Sequence, residues 1–148
     1  MSSWNEKIAE CTRQIQQNPN DYMAYYNRGK IFRDLAYEGR GNIDLAYEDF
    51  NEYDENAIQD FTQAIKLNPN YADAYFYRGC DYSCLGQYER AIQDFTQAIQ
   101  LHPNYGSAYY NRGKIYSKLG RKKQADQDFD MHIKLSVMDN RGLITDFR

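Results

Sequence analysis

Shifted by 34 residues, the sequence falls onto itself. Tyr75 meets Tyr109, Gly79 meets Gly113, Tyr82 meets Tyr116, Gly86 meets Gly120, Ala91 meets Ala125 and Phe95 meets Phe129. One period earlier, Ala57, Phe61, Ala64 and Pro69 precede Ala91, Phe95, Ala98 and Pro103. Whole words recur: AIQDFTQAI at 57–65 and 91–99, YYNRGK at 25–30 and 109–114. A period of this length marks a stacked array, in which each unit buries its apolar face against its neighbours. That period, more than composition, decides the fold.

Each unit reads as two helices. Tyr75-x-x-Arg78-Gly79-x-x-Tyr82 has the spacing of one helix face, with glycine where another backbone comes close. Ala91-x-x-x-Phe95-x-x-Ala98 marks a second face, its small residues allowing close approach of a neighbour. Leu85-Gly86-Gln87 supplies a glycine stop between them. Asn68-Pro69-Asn70 and His102-Pro103-Asn104 end the second helix of a unit, because proline cannot continue it. On these residues the chain resembles the tetratricopeptide repeat across nearly all of residues 4–135. The resemblance implies an all-α fold: an α-solenoid of about seven helices in a right-handed superhelical stack. It also implies a non-catalytic module that binds a peptide or protein segment in a concave groove and needs no cofactor.

The chain is read as a single domain over 1–148. Residues 3–17 form an unpaired second-type helix, opened by a capping box of Ser3 and Glu6, with Cys11 where Phe61 stands later. An interrupted repeat follows at 22–71, regular repeats at 72–105 and 106–139, and a tail at 140–148.

Three departures from the family pattern carry the individuality of the chain. Arg28, Arg78 and Arg112 stand where the common pattern has leucine, and Asp60, Asp94 and Asp128 precede the phenylalanine of each second helix. An Arg–Asp pair inside each repeat is expected, since a half-buried arginine needs a charged partner; the alternative is three arginines lining a binding face. The second departure is an insertion of 16 residues around 37–56. With seven acids and one arginine it carries −6, leaving +3 on the rest of a chain whose total is −3. Ala46-Tyr47-Glu48-Asp49-Phe50 echoes Ala57-Ile58-Gln59-Asp60-Phe61 eleven residues later, close to three helical turns. The second helix of this repeat is therefore expected to start near Asn42 and to run about three turns longer, with Gly39-Arg40-Gly41 as a displaced turn. The projection would be acidic, and either mere solvated charge or a contact surface exposing Tyr47, Phe50 and Tyr53. A calcium loop is rejected because Asp54 takes the place of the required glycine and Tyr53 that of an oxygen ligand. The third departure is the end, where His132 replaces an alanine and Val137 a proline. Either the tail residues Val137, Met138, Leu143, Ile144 and Phe147 fold back over the last helices, or that surface meets another subunit. Self-assembly into a homo-oligomer, through this end or the acidic insert, is the alternative to groove binding.

Carried over from the resemblance, the groove positions are Met23, Tyr26, Asn27, Lys30 and Arg33 in the interrupted repeat. The next repeat supplies Asp73, Phe76, Tyr77, Cys80 and Ser83, and the last Ser107, Tyr110, Asn111, Lys114 and Ser117. Aromatics with basic and amide groups suit capture of an extended or helical peptide, although the tyrosines could equally pack between helices. The carboxylate clamp for chaperone tails is absent, its places being held by Tyr26, Lys30, Tyr77, Ser107 and Asn111.

Other chemistry finds little support. The two histidines, His102 and His132, lie in separate second helices, and no nucleophile elbow or phosphate loop occurs. Cys80 and Cys84 lie one turn apart but lack further ligands for a metal, and read as apolar filler. An acidic chain is not expected to bind nucleic acid, and no apolar run is expected to enter a membrane. Three cysteines, an odd number, fit a reducing, cytoplasmic setting.

Overall fold

The structure is a computed structural model describing residues 3–40 and 47–142. Among the described residues seven helices follow one another: α1 (Trp4–Gln17), α2 (Tyr22–Arg40), α3 (Tyr47–Leu67), α4 (Ala72–Cys84), α5 (Tyr88–Leu101), α6 (Gly106–Lys118) and α7 (Lys122–Asn140). No strand occurs among the described residues. Each helix packs on the next in sequence, so α2–α3, α4–α5 and α6–α7 form antiparallel pairs and α1 closes the open side of α2.

The caps explain the helix ends. Ser3 Oγ accepts from the Glu6 amide at 3.2 Å, and Glu6 Oε2 accepts from the Ser3 amide at 2.9 Å. This satisfies two otherwise orphan donors at the start of α1. The outward residues of α1, including Asn5, Glu6, Glu10 and Arg13, are exposed, while Cys11 faces inward and is buried. At the end of α4 the chain turns through Gly86 with φ +73°, and at the end of α6 through Gly120 with φ +72°. The Gln87 amide donates back to Tyr82 O and the Arg121 amide to Tyr116 O, both at 2.8 Å. Only glycine enters that left-handed conformation at little cost. The hydroxyls of Tyr75 and Tyr109 donate to Pro69 O and Pro103 O at 3.0 and 3.1 Å, tying α4 and α6 to the proline turns before them.

Inside each pair a phenyl ring lies flat on a glycine. A Cβ added to Gly29, Gly79 or Gly113 would sit 2.9, 3.1 or 3.0 Å from the ring of Phe61, Phe95 or Phe129. Phe61 and Phe95 are among the largest side chains wholly withdrawn from solvent.

The insertion lengthens both helices of its pair. α2 and α3 run 19 and 21 residues, against 13 and 14 for α4 and α5. The lengthened part repeats the glycine–phenyl contact, since Phe50 lies against Gly39 so closely that a Cβ there has no room. This corrects the reading of a displaced turn: Gly39 and Arg40 are helical, while Gly41 and the start near Asn42 lie outside the described residues. It also corrects the expectation of exposed aromatics. Phe50 is 4% exposed and Tyr53 is half-buried, because the lengthened parts of α2 and α3 pack on each other, although Tyr37 on α2 is 75% exposed. The side chain of Tyr47 lies outside the description. Asp54, expected as solvated charge, is fully buried and paired with Arg40. At the other end, Val137 and Met138 continue α7 rather than folding back, and Leu143, Ile144 and Phe147 lie outside the described residues.

Candidate protein-binding groove

Helices α2, α4 and α6 approach one another directly across the repeat boundaries, whereas among the described residues α3, α5 and α7 do not meet each other. First helices that converge while second helices splay curve the stack, with α2, α4 and α6 on its inner face.

That inner face has a floor of interlocked rings. Tyr26 is 6% exposed and meets Tyr71 edge-on at 4.9 Å; Tyr77 lies near Phe61 at 6.1 Å. Phe76 stacks on Tyr105 at 4.9 Å and is 8% exposed. Tyr26 and Phe76 are therefore structural members of the face, withdrawn from any ligand. Burial holds the Tyr26 phenol well above its ordinary pKa, with Tyr71 and Asp73 adding to the effect. The Tyr105 hydroxyl donates to Asp73 Oδ1 at 2.6 Å, and burial followed by that carboxylate pushes its pKa up as well. Cys80 is pushed up to about 12, chiefly by burial, so its thiol is unreactive at neutral pH. Met23 is half-buried in the same ring cluster.

Above the floor stand the polar groups. Lys30 Nζ lies 5.8 and 5.3 Å from the ring centres of Tyr26 and Tyr77, the Arg33 guanidinium 4.9 Å from Tyr77, and Lys114 Nζ 5.4 Å from Tyr110. The cations rest on the negative faces of the rings, which hold them over the groove. Asn27, Ser107, Lys114 and Ser117 are exposed, Ser83 and Asn111 are half-buried, and Tyr110 is 44% exposed. Asn111 Nδ2 donates weakly to Cys80 Sγ at 3.9 Å, linking α6 to α4.

The arginines lie elsewhere. Arg28 donates to both carboxylate oxygens of Asp60 at 2.8 Å, Arg78 to both of Asp94 at 2.8 Å, and Arg112 to both of Asp128 at 2.7 Å. The 16 extra residues leave this geometry unchanged, because they lengthen both helices beyond the pair. Each guanidinium has a third partner that the sequence reading missed. Thr12, Thr62 and Thr96, on the second-type helix before, accept from Arg28, Arg78 and Arg112 at 3.0 to 3.1 Å. The repeated threonine in the words DFTQ and ECTR was the available signal. Tyr71 and Tyr105 were missed as well, although both follow a Pro-Asn dipeptide. Asp21 holds that place in the interrupted repeat and caps α2, its Oδ1 accepting from the Met23 and Ala24 amides at 3.0 and 3.3 Å.

No group of three or more histidine, cysteine or acidic side chains able to hold a metal occurs among the described residues.

A curved stack of helix pairs with an open inner face defines the class of α-solenoid interaction modules. Tetratricopeptide-repeat family models match residues 45–71, 61–93 and 107–134, and a TPR repeat model matches 82–120. The chain belongs to the tetratricopeptide-repeat family, whose arrays serve as protein-interaction scaffolds. Among solved structures, TTC0263, described as a thermophilic TPR protein in Thermus thermophilus, is 20% identical with a TM-score of 0.75, over 93% of this chain and 68% of its own. MamA 41-end from Desulfovibrio magneticus RS-1 is 18% identical with a TM-score of 0.73, over 90% of this chain and 66% of its own. The chain thus spans about two thirds of these proteins, and at such identity the likeness is one of fold. Comparison with curated proteins gives no match.

Proposed function

We propose that the inner face of α2, α4 and α6 binds an extended segment of a partner protein and that the chain performs no catalysis. The observation that carries this reading is the row of Asn27, Lys30 and Arg33 on α2 and Asn111 and Lys114 on α6, presented above a rigid tyrosine floor. Amides at the two ends can pair with a peptide backbone, and the cations with carboxylates of the segment. A floor already locked by ring contacts adds no ordering cost on binding. The partner is taken to be protein because the net charge is −3 and no described helix is long and apolar enough to cross a membrane. The test is capture of partners by the wild type against a Lys30→Glu, Lys114→Glu variant. Affinity should fall about tenfold or more, the size of effect expected from two misplaced charges, with thermal stability unchanged. Equal capture by both proteins rejects the groove.

One observation favours the second reading, self-association through the last helix. Ile133 on α7 is 59% exposed and Val137 43%. Ile133 holds the register of Ile99, which is half-buried under the following repeat. α7 thus presents the face on which another helix pair docks elsewhere in the chain. Light scattering across a concentration series should show a dimer in the wild type and a monomer in Ile133→Lys; a wild type that stays monomeric excludes it.

A further inference from the structure

The extension of α2 and α3 places a second set of charges against α4, and these are held differently from the pairs within the repeats. Asp81 on α4 is 1% exposed. It stands two residues after Gly79, in the register where the next repeat has Ile115, itself 2% exposed. An acid therefore occupies a core position. Asp81 Oδ1 lies 3.6 Å from Arg33 Nε on α2, too far for a hydrogen bond, and its buried Oδ2 has no hydrogen-bond partner. The same chain shows how it holds an ionised acid: Asp94 receives two bonds of 2.8 Å from Arg78. Arg33 is also divided, lying 3.9 Å from Asp34 Oδ1 and resting on Tyr77. From α3, Asp54 reaches the region fully buried and bound to Arg40. Among the described residues, the charged and titratable groups that act on Asp81 are Arg33, Asp34 and Arg40 from α2, Asp54 from α3, and Cys80 and Cys84 on its own helix.

We propose that Asp81 is a proton-controlled latch: neutral, it seats the extension of α2 and α3 on α4, and on losing its proton it loosens that contact. A neutral carboxyl fits a core site at modest cost, whereas a carboxylate lacking bonded partners is strongly disfavoured there. Ionised, it would also oppose Asp54 across the same contact. Burial holds Asp81 well above the ordinary carboxylate range; Arg33 opposes the rise and Asp54 adds to it. The sign follows. A group that binds its proton more tightly when seated stabilises the seated form below its ordinary value, and that contribution is lost as pH rises towards the raised value.

Asp81→Asn keeps the shape and removes the titration. Urea unfolding of both proteins should be followed between about pH 5 and pH 8, with amide exchange read at 33–40 and 47–56. The wild-type folding constant, divided by that of the variant, should fall up to tenfold per pH unit across that window. Exchange at the extension should rise with pH more steeply in the wild type than in the variant. A ratio that stays constant overturns the latch. Should the variant not fold, the carboxyl carbon of Asp81 in the wild type decides by NMR: titration in the ordinary aspartate range overturns the proposal, and titration above it supports it.

Discussion

Replacing Phe61 with alanine is expected to lower the stability of the chain by about 3–5 kcal/mol, a large part of what a domain of this size possesses. The ring has no exposure. It lies on the backbone of Gly29, meets Tyr26 at a centroid distance of 5.9 Å and packs near Tyr77 of the next repeat. The vacated space would be walled by the α2 backbone, by Tyr26 locked to Tyr71 and by Tyr77 locked to Phe76, so it cannot collapse. Lost transfer energy and an unfilled cavity then add. Phe61 also joins the interrupted repeat to the regular ones. In an array where units contact only neighbours, its loss should uncouple α1–α3 from α4–α7. Urea unfolding followed by circular dichroism should show an earlier and broader transition. A loss below about 1 kcal/mol would mean that the site relaxes around the cavity, against the rigid packing described.

The repeat made most of this legible beforehand. Tyr75, Gly79, Ala91 and Phe95 recur at a fixed period, so their roles could be read from self-comparison alone, and the helix order follows from it. The echo of Phe61 in Phe50 likewise disclosed that α3 is lengthened. What the echo could not disclose is the partner of Phe50. Gly39 is ten residues after Gly29 while Phe50 is eleven before Phe61, so the match on α2 is out of register with the match on α3 and reads as a turn. Burial of Asp54 and Asp81 was hidden for a related reason: a periodic template predicts core positions by analogy, and these acids occur once each. The groove shows the same limit. Position placed Tyr26 and Phe76 on the inner face, but whether a ring faces a ligand or a neighbouring ring depends on Tyr71 and Tyr105 from the turns. His132 gives a compensated case. It replaces an alanine, and its polar ring finds a partner at the start of α6: His132 Nδ1 lies 3.0 Å from Gly106 O.

Asp94→Ala is expected to cost about 3–5 kcal/mol, and the reason is the arginine it leaves behind. The Arg78 side chain is 17% exposed and would keep only its 3.1 Å bond to Thr62. Its charge, flanked by Tyr75 and Tyr82, would then be largely withdrawn from water with no counter-ion. Surface ion pairs contribute far less, about 0–1 kcal/mol, so the size of the loss distinguishes a half-buried pair from a decorative one. The double variant Arg78→Leu, Asp94→Ala separates two meanings of that loss. Leucine is the residue common at the arginine position in this family, and replacing both partners removes the stranded charge. Stability in the double variant should return to within about 1–2 kcal/mol of the wild type. The remainder would be the Arg78–Thr62 bond between neighbouring repeats, the one part of the network that leucine cannot replace. If the double variant were as unstable as Asp94→Ala alone, the cost would lie in lost bonds rather than in a stranded charge. The Arg–Asp–Thr network would then be a net source of stability in every repeat. Recovery would instead mean that the network fixes the register between repeats at little net gain in stability.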